Sequence, residues 1–144
     1  MHGLLNNVEV RVVGSPVAAG STIDNNSSRI DMAEYESVQF IAPIADSVAT
    51  GVATLTIEEN DADSDSGMAA VTDSAATVTC AVNDDVNDTA LISEVYHPAK
   101  RYVQAVRTSA TANIAYGAVI ALLTPRQKPA VQGATVSDSA FVAN

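Results

Sequence analysis

Short runs in which apolar and polar residues alternate recur from one end of the chain to the other, and no stretch keeps the spacing of an amphipathic helix. β-Branched runs bounded by Gly, Asn, Asp and Ser are the grammar of a sandwich or barrel, and about eight strands can be read this way. Gly51 to Glu59 is the clearest. Ala53, Leu55 and Ile57 should point inward and Thr54, Thr56 and Glu58 outward, because successive side chains of a strand face opposite ways. By the same rule Val8, Val10 and Val12 are expected inside, with Glu9 and Arg11 outside. In Tyr35 to Ile44 the set Val38, Phe40, Ala42 and Ile44 shares one face, and Pro43 lies near the strand end, where a missing ladder donor is tolerated.

The remaining strands follow with less regularity. Thr22 to Met32 reads as an edge strand broken at Asn25 to Ser28, and Val71 to Val82 should bring Val78, Cys80 and Val82 to one face, with Cys80 in the core row. Ala90 to Tyr96, Arg101 to Thr108 and Ala115 to Leu123 form the last three, joined by His97-Pro98-Ala99 and by a loop from Ser109 to Asn113. The final strand is apolar on both sides of its pleat, which implies a central, doubly covered or interface-forming position. Past it, Pro125, Pro129, Gly133 and scattered Ser and Thr leave Val131, Val136 and Phe141 as isolated apolar beads. The expected organisation is a β-sandwich domain over residues 1–124 and an extended C-terminal arm over 125–144, either disordered or ordered against another subunit. The fold class is all-β: an antiparallel two-sheet sandwich, jelly-roll-like.

Composition narrows what such a fold could do. The chain has 144 residues, 47% of them hydrophobic, but no Trp, two Phe and four Tyr, so its core must be built from small side chains in thin layers. A formal net charge of -10 repels a phosphate backbone, and no nucleic-acid partner is expected. The charge is uneven: residues 1–99 carry only Arg11 and Arg29 as basic side chains, whereas residues 100–128 carry Lys100, Arg101, Arg107, Arg126 and Lys128 and no acid. These five are candidate contacts to an acidic partner surface, together with Val131, Val136 and Phe141 of the arm. The opening residues lack the basic and apolar regions of a signal peptide, and the apolar run Ala115 to Leu123 is too short to span a bilayer, so cytosolic synthesis without a membrane partner is expected.

Candidate chemistry is sparse. Cys80 is the single cysteine, so neither an internal disulfide nor a cysteine-based zinc site is available. Asp61, Asp63 and Asp65 alternate as calcium ligands do, yet Ser66 and Thr72 stand where a calcium-binding loop wants Gly and a bidentate Glu. A solvated hairpin tip is the expected reading, as it is for Asn83 to Asp88. His2 sits at a terminus and His97 precedes a proline in a turn, so neither is placed as a catalytic base. The tyrosines are dispersed, and no glycine cluster cradles a phosphate. No enzyme activity, cofactor or resident metal is expected.

Several segments resemble the short capsid decoration, cement or minor head proteins encoded beside the major capsid gene of tailed bacteriophages. The likeness runs through Asp31-Met32-Ala33-Glu34-Tyr35-Glu36-Ser37-Val38-Gln39-Phe40-Ile41 and Thr54 to Asp61. It is strongest at Glu94-Val95-Tyr96-His97-Pro98-Ala99-Lys100-Arg101-Tyr102-Val103-Gln104-Ala105-Val106, and it ends with an Ala/Val-rich strand and Pro125 to Val131. The segments beyond Val131 lengthen the usual ending of that family. The resemblance implies a non-enzymatic virion component on the capsid surface, partnered by the major capsid protein and by itself. Threefold lattice sites make a homotrimer the expected assembly. The alternatives are a head-to-tail, neck or fibre-base component, or a carbohydrate- or receptor-binding module, the last requiring clustered exposed aromatics or bound calcium.

Overall fold

The structure, a computed structural model, describes residues 3–143. A single 3-10 turn, Leu4–Asn6, precedes twelve strands. They are β1 (Glu9–Gly14), β2 (Val17–Gly20), β3 (Asp24–Asn26), β4 (Ile30–Asp31), β5 (Tyr35–Ser47), β6 (Val52–Asn60), β7 (Ala69–Ala70), β8 (Ala76–Thr79), β9 (Ala90–Tyr96), β10 (Tyr102–Ala110), β11 (Ile114–Tyr116) and β12 (Val119–Pro125). Every pairing is antiparallel.

Short strands lie end to end along a shared neighbour, which reduces the twelve to eight rows. β1 and β2 run beside β12 and β11, which together flank one edge of β5, while β9 takes the other edge. In the second sheet β3 and β4 share one edge of β10, β6 takes the other, and β7 and β8 share the far edge of β6. Numbered along the chain, the rows stand in the orders 1-8-3-6 and 2-7-4-5. That is the strand order of a jelly roll, in which antiparallel strands wind back and forth between two sheets. The sequence reading of the fold class is therefore correct.

The core lies between the sheets. Val38, Phe40, Ala42 and Ile44 of β5 and Val119, Ala121 and Leu123 of β12 face Ala53, Leu55 and Ile57 of β6 and Val103 and Ala105 of β10, all fully or nearly fully buried. Tyr116 is the one large ring at this level to carry a polar tip. Its hydroxyl donates to Thr108 O at 2.6 Å and accepts from Thr54 N at 3.1 Å, tying β11 of one sheet to β6 and β10 of the other.

Several expectations are corrected. The pleat of β1 is inverted: Glu9 and Val13 are each 6% exposed, while Val12 is 46% exposed. Glu9 and Arg11 stand opposite Leu123 and Ala121, on the inner face, because Glu9 is satisfied there by Arg11 Nε at 2.7 Å and by the Tyr35 hydroxyl. Pro43 lies inside β5 and not near its end. It falls at the gap between β11 and β12, where Gly117 N donates to its carbonyl and no neighbouring strand needs its missing N–H. Val82 is past the end of β8 and exposed, while Cys80 is buried beside that strand end with its thiol 2.8 Å from Val82 O.

Residues 130–135 of the arm lie against their own chain. Ala130 N donates to Asn6 O, Gln132 spans the backbone of Val8 and Val10, and Thr135 Oγ1 accepts from Val12 N at 3.2 Å. Residues 130–135 thus run in the same direction as 6–12 along the free edge of β1. An open sheet edge invites pairing with other chains, and this edge is closed by side chains.

Candidate interaction surfaces

The five basic residues singled out from sequence are mostly consumed within the molecule. Lys100 Nζ pairs with Asp61 at 2.6 Å, and Arg101 grips both oxygens of Asp31 at 2.9 and 2.8 Å. The two-pronged bond to Arg101, helped by Ala33 N, pulls the Asp31 carboxyl down to about 2. Lys128 Nζ donates to Asn7 O. Arg126 is exposed, and no ion pair involves it among the described residues. Lys100, Arg101 and Arg126 do converge, with His97, on an open cleft of 320 Å³ floored by Met32, Tyr35 and Pro98.

Arg107 is not a surface contact. It is 1% exposed, and its side chain shares the inward row of Val103 and Ala105. The guanidinium donates to Gly117 O at 2.6 Å, to Ser15 O at 2.8 Å and to Asn25 Oδ1 at 2.7 Å, leaving Nε without a partner. All three acceptors are neutral. Burial lowers its pKa from the ordinary value, yet a guanidinium stays charged. Its planar fork joins the β2, β3 and β11 ends of the two sheets as a polar rivet. Gly14 packs closely beside it: a Cβ there would sit 3.1 Å from the guanidinium and 3.2 Å from Val119, so those side chains would have to shift by a few tenths of an ångström. A lone Arg reads as surface in a sequence; the signal available was its parity with Val103 and Ala105.

The acidic loop is an exposed hairpin tip between β6 and β7, as expected, and two of its carboxylates also share a partner. Asp63 and Asp65 hold Arg29 at 2.6 and 2.9 Å, so residues 61–67 reach from the end of β6 past β10 to the chain just before β4. Close by, Gln104 and Glu58 stand opposite each other on the outer face, Gln104 Nε2 donating to Glu58 Oε2 at 2.9 Å, and Gln104 is fully buried. No group of three or more His, Cys, Asp or Glu able to hold a metal occurs among the described residues. His97 adopts a left-handed turn conformation (φ 51°) and stacks on Tyr96 with ring centres 3.9 Å apart. His2 lies outside the described residues. Of the arm beads, Val131 (78%) and Phe141 (52%) are exposed and Val136 is half-buried.

The largest feature that sequence reasoning named only in part is the outer face of the first sheet. The register aligns Val12, Ile120, Ile41 and Ile92 in one row across four strands, with Val10, Leu122, Gln39 and Glu94 in the next. Val12 and Ile92 are about half exposed, and Ile41, Ile120 and Leu122 are half-buried. No protein-family model and no curated protein sequence matches this chain. The surface must therefore be interpreted from its own chemistry. A monomer rarely leaves a contiguous row of β-branched side chains uncovered, and such faces mark sites of association. No helix among the described residues is long and apolar enough to cross a membrane.

Proposed function

We propose that the protein is a structural component of a bacteriophage particle, a decoration or cement protein that seats on the outside of the capsid and stabilises its lattice. The observation that carries this reading is the apolar row Val12–Ile120–Ile41–Ile92, aligned across a rigid sheet. Covering such a row against the major capsid protein would remove apolar surface from water, each side chain contributing on the order of 1 kcal/mol for the half still exposed. Jelly-roll sandwiches serve in viral shells as well as in lectins and cupins, so the fold permits the reading without selecting it. Of the segments resembling decoration proteins, the strongest, Glu94 to Val106, forms the end of β9, the turn at Tyr96 and His97, and the first half of β10. A homotrimer at threefold lattice sites and location on the virion surface belong to the same proposal.

The test is saturable binding of the purified chain to emptied capsids of the phage or prophage that encodes it, with copy number per particle counted by mass spectrometry. A lattice-scale copy number is expected, and a single small ring of copies would place the chain at the neck. Val12→Lys and Ile120→Lys together should abolish binding while leaving the fold intact, since both side chains face outward. Failure of the unaltered chain to bind capsids overturns the function, and unchanged binding of the double variant overturns the assignment of the face.

A further inference from the structure

The first sheet has two outer edges, and they are treated differently. The β1 edge is closed by the arm. The β9 edge is not. The hydrogen bonds of His97 N to Glu36 O and of Ile44 N to Thr89 O fix which residues of β9 face β5. Odd-numbered residues from Thr89 to His97 direct their backbone groups at β5, so those of Ile92, Glu94 and Tyr96 point to the free edge. Among the described residues no strand pairs with that side. The remaining sheet edges are short strands, β2 beyond β1 in the first sheet and β3 with β4, or β7 with β8, in the second, each of two to four residues. β9 runs seven residues without interruption, proline or lysine. It is the sort of edge that proteins otherwise blunt.

We propose that the free edge of β9 accepts an extended strand from a different protein, one that carries a Lys or Arg flanked two residues away on each side by apolar side chains. Backbone pairing would supply the affinity and alternate side chains the selection. Glu94 projects outward between Ile92 (52% exposed) and Tyr96 (67% exposed), so a basic residue opposite it makes a cross-strand ion pair while its apolar neighbours cover Ile92 and Tyr96. Charge argues against a second copy as the occupant. The chain carries a net -10, and Asp88 to Ala99 contains no Lys or Arg that could stand opposite Glu94. The proposal concerns the edge and is independent of whether the apolar face meets a capsid.

The experiment is amide hydrogen exchange on the full chain, alone and with a capped nine-residue peptide alternating valine and threonine around a central lysine. Alone, the amides of Ile92, Glu94 and Tyr96 should exchange fast and those of Leu91, Ser93 and Val95 slowly. The peptide should protect the first set. A glutamate-centred peptide should bind about tenfold more weakly, and N-methylation of the peptide along one edge should remove binding. Glu94→Lys, an exposed substitution, should invert the preference for lysine over glutamate. No protection at saturating peptide, protection surviving N-methylation, or a preference unmoved by Glu94→Lys would each overturn the proposal. So would protection of the same amides in the chain alone that grows with its concentration, which would make a second copy the occupant.

Discussion

The side-chain amide of Gln132 occupies the place of a peptide group beside Val10: its oxygen accepts from Val10 N at 2.8 Å and its nitrogen donates to Val8 O at 2.8 Å. Accepting from one residue and donating to the residue two earlier is one step of a parallel ladder. Replacing Gln132 by Ala removes that step and leaves the Val10 amide to water, for a loss of about 0.5–1.5 kcal/mol. Hydrogen exchange should show protection lost at Val10 but retained at Val12, which Thr135 serves separately. Equal loss at both amides would mean that the arm docks as one unit.

Removing residues 126–144 takes the whole cover away. The sandwich should still fold, because every buried core residue lies between Val13 and Leu123. The bared edge of β1 should then pair between molecules. Sedimentation at increasing concentration should show association beyond that of the full chain, and a truncated chain that associates no further than the full one would show that the arm does not guard the edge.

Why some of this was legible and some was not is visible in two strands. In β6 the inward Ala53, Leu55 and Ile57 alternate with Thr54, Thr56 and Glu58, and the polarity pattern names the correct face. In β1 the same rule fails because its premise, one dry face and one wet face, does not hold. The inner rim is polar, held by Glu9, Arg11 and Tyr35, and the outer face is apolar. The final strand gave fair warning, being apolar on both sides, and it does lie centrally between β1 and β5. The ion pairs that consume Lys100 and Arg101, and the fold-back of the arm, depend on partners 39 to 124 positions away in sequence and leave no local trace.

Arg107 should resist even conservative replacement. In Arg107→Lys a single ammonium cannot reach Gly117 O, Ser15 O and Asn25 Oδ1 together, so at least one buried acceptor loses its donor. The expected cost is about 1–3 kcal/mol. Urea unfolding should show a lower midpoint with an unchanged slope, since the same surface is exposed on unfolding. A midpoint equal to that of the parent chain would remove the guanidinium from the list of supports.

At the acid end, the Asp31–Arg101 pair should persist well below the usual carboxylate range. The folded pKa of Asp31 is lowered from 3.8 to about 2, so its contribution is fully present above pH 3.8 and disappears as pH falls through about 2. Both side chains are exposed, and the contribution is small. Carboxyl titration followed by NMR should place Asp31 near 2 in the parent chain and return it toward 3.8 in Arg101→Gln. An unmoved value in the variant would shift the credit to the Ala33 amide, which also donates to Asp31 at 3.0 Å.

At the alkaline end the sign is reversed. Burial first, opposed by the bond to Thr54 and the nearby positive charge of Arg107, pushes Tyr116 up to about 12 from an ordinary 10.0. The folded chain therefore keeps a proton that the unfolded chain loses. Stability from this group is complete below pH 10 and is lost as pH rises through about 12. Tyr116→Phe should lower stability at neutral pH by about 1–3 kcal/mol, because Thr108 O and Thr54 N lose their partner. It should also flatten the decline above pH 10, leaving the part due to Tyr35, whose pKa is raised by burial and by its bond to Glu9. Unfolding midpoints measured across that range, with tyrosinate absorbance as the second signal, decide the matter. Parallel pH profiles for the two chains would show that the Tyr116 hydroxyl is not held between the sheets.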